Sequence, residues 1–142
     1  MNLGRLNHIG VATPSIERSV AIYRDLLGAT AIGEPFDLPA QGVRVCFVDL
    51  PNTQVELIEP LGEGSPVAGF LAKNPAGGQH HLCFEVPDIA AARAELVEKG
   101  ARVLGEPRIG AHGALVQFLH PKDMGGVLVE LMETPHHEDG AH

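Results

Sequence analysis

The chain has 142 residues, of which 44% are hydrophobic and 20% charged, a composition typical of one folded domain and not of a disordered or fibrous chain. The net charge of −8, with one Tyr and no Trp, argues against nucleic acid as a partner. No stretch approaches the roughly 18 uninterrupted apolar residues of a membrane span, so we expect no membrane partner either. Cys46 and Cys83 lack CxxC spacing. We therefore expect buried free thiols in a reducing cytoplasm.

An internal repeat with an offset of 71 to 74 positions runs through the chain. The segment His8-Ile9-Gly10-Val11 aligns with His81-Leu82-Cys83-Phe84, and Val55-Glu56-Leu57 aligns with Val129-Glu130-Leu131. Such a repeat predicts two copies of one structural unit, over about 3–60 and 78–133. We expect a single domain over 1–133 with a linker helix at about 65–74. The segment 134–142 has no apolar anchor, and we expect it to be a disordered tail.

Each copy predicts a strand, a helix and three further strands, which is a βαβββ module. The first copy predicts strands at 5–11, 29–33, 43–49 and 54–58, and a helix from Ser15 to Gly28 with Ile16, Val20, Tyr23 and Leu27 on its inner face. The second copy predicts strands at 80–86, 101–105, 114–120 and 126–132, and a helix from Asp88 to Gly100. The predicted fold class is therefore α+β, built from two tandem βαβββ modules.

Strand alternation places two histidines and two glutamates on one face of the predicted sheet. Glu56 lies between Val55 and Leu57, and the repeat puts Glu130 in the same setting. The apolar residues must pack under the helices, so the glutamates face the opposite side, where His8 and His81 also fall. Both alternation and the repeat select His81 over its neighbour His80.

Two carboxylates in one cleft without a partner would cost several kcal/mol, and a divalent cation removes that cost. Imidazole and carboxylate ligands suit Co²⁺, Zn²⁺, Ni²⁺ or Mn²⁺, and the lack of cysteine among them argues against a closed structural zinc site. We therefore interpret His8, Glu56, His81 and Glu130 as metal ligands.

Longer motifs carry a family resemblance: LNHIGVAT, NTQVELIEPLG, SPVAGFLAKNPAGGQHHLCFEV, and IGAHG followed by FLHPKDMGGVLVEL. Together they resemble the methylmalonyl-CoA epimerase family of the vicinal oxygen chelate (glyoxalase-like) superfamily, over nearly the whole chain. The resemblance implies the fold of that superfamily with a concave metal-binding cleft. It implies His8, His81 and Glu130 as ligands, with Glu56 at the remaining ligand position. It also implies one divalent ion, with Co²⁺ favoured, an acyl-CoA substrate and a homodimer.

The activity that the resemblance implies is removal of the C2 proton of an acyl-CoA thioester and its return to the opposite face. Some family members carry a glutamate base at the position of Val45, which cannot take a proton. We therefore expect Glu56 and Glu130 to act as the acid–base pair. Candidate substrate contacts, chosen from charge and from position in turns, are His112, Lys122, Lys73 and Arg44.

Two other functions remain open at this stage. A glyoxalase I-like lyase acting on a glutathione hemithioacetal would use the same four ligands and similar proton chemistry. A metal-free binding protein of the same fold would need no ligands at all. An extradiol dioxygenase is disfavoured, because its site of two histidines and one carboxylate leaves positions open that a fourth ligand would fill.

Overall fold

The structure is a computed structural model that describes residues 1–135. Eight strands and three α-helices follow one another along the chain: β1 (Leu6–Ala12), α1 (Ile16–Ala21), β2 (Phe36–Leu38), β3 (Val43–Asp49), β4 (Gln54–Pro60), α2 (Pro66–Lys73), β5 (Gly78–Val86), α3 (Ile89–Glu98), β6 (Val103–Ile109), β7 (Leu115–Leu119) and β8 (Val129–Glu133). The order βαβββ thus occurs once before α2 and once after it, which confirms the predicted fold class. The predicted tail lies outside the described residues from position 136 onward.

The strands of the first module follow the order β2-β3-β4-β1, and those of the second the order β5-β8-β7-β6. Within them β1 runs parallel to β4 and β5 runs parallel to β8, whereas the neighbours β2–β3, β3–β4, β6–β7 and β7–β8 are antiparallel. The chain divides into two compact units, His8–His81, and Met1–Asn7 together with the chain from Leu82 on. Among the described residues, no helix has the length and apolarity that crossing a membrane requires.

Each unit has an apolar core in which the predicted alternation is visible. In the first unit the core cluster is Ile16, Cys46, Val48, Val55 and Leu57, with Val20 and Tyr23 packed against it. In the second unit it is Val86, Ile89, Ala92, Leu119 and Leu131. Val55 and Leu57 are thus on the helix side of β4, and Glu56 between them is directed to the other face. Both cysteines are free and buried, as predicted.

The repeat extends to the way each helix begins. Ser15 caps α1 and Asp88 caps α3. In addition, the backbone N–H of Ile16 donates to Oε1 of Glu59 at 2.7 Å, and the N–H of Ile89 donates to Oε2 of Glu133 at 3.1 Å. A glutamate near the end of β4 or β8 therefore satisfies an amide in the first turn of the matching helix.

Two local predictions are wrong. The strand predicted at 29–33 is reduced to a single bridge between Ile32 and Val48, and the pairing strand β2 comes later. A turn over Pro39–Gln41, ended by Gly42 at φ 70°, folds β2 back onto β3. Leu27, predicted to face inward, is 67% exposed.

The exposure of Leu27 follows from a π-helical turn over Ile22–Leu26 that continues α1. The N–H of Leu27 donates to the carbonyl of Ile22, five residues back, at 3.1 Å. This wider turn contains one residue more than an α-helical turn, so the residues beyond it are rotated by about 100° around the axis.

Candidate metal centre

Three of the predicted ligands meet within the His8–His81 unit. Nε2 of His8 lies 3.0 Å from Oε1 of Glu56, and Nε2 of His81 lies 3.5 Å from the same oxygen. The two Nε2 atoms are 3.2 Å apart, and the imidazole planes stand at 86°. The three donor atoms thus converge on one point.

Glu130, in the other unit, is the fourth candidate ligand. All four residues, His8, Glu56, His81 and Glu130, are buried, and their side chains are of the kind that could hold a metal ion. Their exposed fractions are 1%, 6%, 5% and 6% in that order. Three of the four residues that alternation and the repeat select thus meet in one unit, and the role of all four as ligands stays a prediction.

The ionisation of Glu56 depends on its histidine neighbours. Burial by itself raises the pKa of this carboxyl, because it penalises the charged form. Hydrogen bonds and charge from His8 and His81 outweigh burial and hold the pKa of Glu56 well below its usual range. Glu56 is therefore a carboxylate at neutral pH, which is the form that ligates cations.

This donor set fits a divalent ion. Ligand atoms at about 2.1 Å from a shared ion lie roughly 3.0 to 3.4 Å from one another, depending on the coordination geometry. The spacings of 3.0, 3.2 and 3.5 Å among His8, His81 and Glu56 fall in or next to that range. Two imidazoles and two carboxylates suit the borderline ions Co²⁺, Zn²⁺, Ni²⁺ and Mn²⁺.

Apolar side chains share the face of the two glutamates. Phe47 is the register partner of Glu56, and Phe118 that of Glu130. Two residues before Phe47, Val45 is fully buried in β3 and offers no atom that can hold a proton. These side chains give the carboxylates a surrounding of low polarity, in which electrostatic interactions are strong.

Sequence reasoning missed two residues that contact His81. His80 lies with its Nδ1 2.9 Å from Nδ1 of His81. A Cβ atom added to Gly10 would lie 2.1 to 2.5 Å from three ring atoms of His81. Alternation within one strand reveals neither contact, because each depends on side-chain rotation or on the neighbouring strand. The adjacent pair His80-His81 and the glycine two residues after His8 were the only sequence signals.

The candidate substrate contacts occupy varied settings. Arg44 is half-buried, with Oδ1 of Asp37 3.8 Å from its Nε. Lys73 is exposed at the end of α2, and Lys122 is exposed in the turn before β8. His112 is half-buried in the turn between Gly110 and Gly113. Their role toward a substrate stays a prediction.

Comparison with known proteins defines the class to which this fold and site belong. The profile of the Glyoxalase/Bleomycin resistance protein/Dioxygenase superfamily matches residues 7–118. Among curated relatives, the chain is 63% identical to the Ethylmalonyl-CoA/methylmalonyl-CoA epimerase of Cereibacter sphaeroides, over 93% of this chain and 99% of that protein. It is 56% identical to the mitochondrial methylmalonyl-CoA epimerase of Homo sapiens, over 94% of this chain and 76% of that protein.

A solved structure gives the same result. A methylmalonyl-CoA epimerase in complex with methylmalonyl-CoA and NH₄⁺ superposes with a TM-score of 0.84 at 38% identity, covering 93% of this chain and 95% of that one. The chain belongs to the methylmalonyl-CoA epimerase family of the glyoxalase superfamily.

Proposed function

We propose that this chain is an epimerase that interconverts (R)- and (S)-methylmalonyl-CoA. The observation that carries the proposal is the buried group of His8, Glu56, His81 and Glu130 in a chain 63% identical to an epimerase named for ethylmalonyl-CoA and methylmalonyl-CoA. Since that relative is named for both thioesters, ethylmalonyl-CoA is proposed as a second substrate.

His8, Glu56, His81 and Glu130 would hold one divalent ion, for which Co²⁺ is the first choice and Zn²⁺, Ni²⁺ and Mn²⁺ are alternatives. Such an ion, when bound, supplies Lewis acidity that stabilises negative charge on the thioester oxygen. The protein's own part is to fix the donor atoms and to exclude water around them.

The two glutamates provide the proton chemistry. One carboxylate takes the proton from C2, and the C–H electron pair moves toward the thioester carbonyl to give an enolate. The other glutamate, protonated beforehand, returns a proton to the opposite face of C2. The low pKa of Glu56 makes it a weak base. Glu56 would therefore have to leave its contacts with His8 and His81 before it takes a proton.

Deuterium exchange at C2 of methylmalonyl-CoA tests these roles. We expect Glu56→Gln and Glu130→Gln each to lose about 10²- to 10⁴-fold in the exchange rate, the usual contribution of a positioned acid or base. Val45→Ala is the matched control on the same face, and we expect it to exchange at nearly the wild-type rate. Exchange at the wild-type rate in both glutamate variants would contradict their role as acid and base. In a separate experiment, the metal is removed with a chelator and single metals are added back, which identifies the ion that restores exchange.

A glyoxalase I-like lyase is distinguished by its thiol carrier. We expect no turnover of methylglyoxal with glutathione by the protein that epimerises methylmalonyl-CoA. The opposite pattern would assign the chain to the lyases. A metal-free binding protein is the correct reading only if the purified chain retains no Co²⁺ after dialysis.

The compartment, the oligomeric state and the substrate contacts are also part of the proposal. Two buried free cysteines support a reducing cytoplasm, and the family resemblance supports a homodimer, which light scattering at several protein concentrations would measure. We propose that the acyl-CoA is contacted by His112, Lys122, Lys73 and Arg44. If these residues bind only the CoA carrier, substitution of any one of them should raise KM more than it lowers kcat.

A further inference from the structure

The imidazole of His81 is contacted at its second nitrogen by the preceding residue of the same strand. Nδ1 of His80 lies 2.9 Å from Nδ1 of His81. The two rings stand at 84° with their centroids 5.2 Å apart. Successive side chains of a strand begin on opposite faces, so alternation alone does not produce this contact. It is a specific hydrogen bond between two histidine rings.

If Nε2 of His81 ligates a metal ion, only one assignment of the protons on its ring is possible. A neutral imidazole carries its proton on one nitrogen and a lone pair on the other. Nε2 of His81 faces Nε2 of His8 at 3.2 Å and Oε1 of Glu56 at 3.5 Å, among the candidate ligands. A lone pair at this Nε2 requires the proton at Nδ1, which then donates to Nδ1 of His80. This tautomer is assigned from the partners of each nitrogen.

The ring of His80 is itself held by α2. Phe70, in the last turn of that helix, has its ring centroid 5.2 Å from that of His80, at an interplanar angle of 80°. This is the edge-to-face geometry that aromatic rings prefer. Contacts therefore run from a helix through Phe70 and His80 to Nδ1 of His81, the nitrogen that is directed away from the candidate ligands.

Gly10 provides the space for the ring of His81. A Cβ atom at Gly10 would lie 2.1 Å from Cε1, 2.3 Å from Nδ1 and 2.5 Å from Nε2 of His81. No L side chain fits there without moving the ring. The ring thus lies directly against β1, with His80 in contact at its Nδ1.

The corresponding positions of the other repeat are occupied differently. Asn7 aligns with His80, and Cys83 aligns with Gly10. The side-chain amide of Asn7 donates to Oε2 of Glu85 at 2.8 Å. The paired imidazoles are therefore a feature of the second copy and do not follow from the repeat.

We propose that His80 is a positioning residue, which accepts the Nδ1–H of His81 and so fixes the tautomer that directs an unprotonated Nε2 at the ligand group. This inference rests on the proposed function, because it takes His81 as a metal ligand. Groups that orient a ligand histidine in this way typically contribute 10- to 100-fold in metal affinity, to an order of magnitude.

The first test needs no variant. Long-range ¹H–¹⁵N correlation spectra of the Zn²⁺-bound wild-type protein at neutral pH report the protonated nitrogen of each histidine. We expect the proton of His81 on Nδ1 and that of His80 on Nε2. A proton on Nδ1 of His80 would overturn the inference, because that nitrogen could then not accept from His81, whatever the chain does with methylmalonyl-CoA.

The second test measures Co²⁺ affinity from the absorption spectrum of the bound ion. His80→Phe keeps a ring against Phe70 but has no acceptor, and we expect it to bind Co²⁺ roughly 10- to 100-fold more weakly. His80→Asn places an acceptor oxygen near the position of Nδ1, and we expect it to recover most of the affinity. His80→Leu replaces the Phe variant if that variant does not fold.

Wild-type Co²⁺ affinity in the variants that lack an acceptor would overturn the positioning role. A wild-type protein that binds neither Co²⁺ nor Zn²⁺ would instead overturn the proposed function, on which the inference rests. The two failures are thus distinguishable.

Discussion

Single residues show how far the sequence alone could define the site. The buried setting of His8, Glu56, His81 and Glu130 was predictable, because alternation and the repeat each restrict a side chain to one face. Gly10 was not, since its importance comes from a ring on another strand. Because glycine has no side chain, it adds nothing to the hydrophobic periodicity of its strand from which such a contact could be predicted.

The contact of Gly10 with His81 predicts a specific steric effect. We expect Gly10→Ala to lower the free energy of unfolding of the metal-free protein by about 1 to 3 kcal/mol, the usual cost of overpacking. In a His81→Ala background the same change should cost nothing, because the ring that it meets is gone. Urea unfolding of the four proteins measures this coupling.

Gly33→Ala is the matched control, because its Cβ would approach nothing closer than the carbonyl oxygen of Phe47 at 3.7 Å. If Gly10→Ala lowers the free energy of unfolding equally with and without His81, the glycine is required by the backbone conformation and not by contact with the ring.

At the scale of elements, the strands that border the site were predictable and the connecting segments were not. The run 43–49 coincides with β3 because it is rich in valine, has an aromatic residue and contains neither Gly nor Pro. The segment before it has little alternation, and its pairing is decided by the turn at Pro39–Gln41. The π-helical turn after α1 was likewise invisible, because Val20 and Tyr23 are compatible with a regular helix and only the exposed Leu27 departs from one.

The contact between Glu59 and the start of α1 predicts a cap from a distant strand. We expect Glu59→Ala to destabilise the protein by about 1 kcal/mol, since the N–H of Ile16 loses an acceptor at 2.7 Å. Glu59→Gln, which keeps an acceptor oxygen, should lose less. The exposed Glu63 provides the control, and thermal unfolding of Glu63→Ala should match the wild type. A similar loss of stability in all three variants would mean that removal of a negative charge, and not loss of the cap, causes the effect.

The turn after β7 predicts an acid-dependent contact. Arg102 donates to the Asp123 carboxylate from its guanidinium at 2.9 and 3.0 Å and from its backbone N–H at 2.9 Å. These bonds hold the pKa of Asp123 at about 2 instead of 3.8. Because the folded pKa is the lower one, the contribution to stability is complete above about pH 4 and is lost as the pH falls toward 2.

We expect Arg102→Ala to raise the pKa of Asp123 toward its ordinary value, as followed by carbon NMR of the carboxyl group during an acid titration. Arg108→Ala, another exposed arginine of the same unit, should leave it low. An unchanged pKa in Arg102→Ala would mean that the backbone N–H of residue 102 suffices.

For the molecule as a whole, the net charge of −8 argues against nucleic acid as a partner. The buried acidic residues point to a cation instead. Two of the acidic residues, Glu56 and Glu130, are buried together with two histidines. Buried carboxylates in one group oppose folding unless a cation or protons compensate them. Binding of a divalent ion should therefore stabilise the whole fold, and not only supply chemistry to it.

That linkage gives a prediction that is independent of substrate. At a free Co²⁺ concentration of 100 times Kd, the expected gain in the free energy of unfolding is about 2.7 kcal/mol, which is on the order of 10 °C in Tm for a domain of this size. Val45→Ala should keep this shift, whereas His8→Ala and Glu130→Gln should lose most of it, and a chelator should reverse it. Ca²⁺, which prefers oxygen ligands alone, should produce almost none. Equal shifts with Ca²⁺ and Co²⁺, or a full shift in His8→Ala, would place the stabilising ion somewhere other than at the four buried ligands.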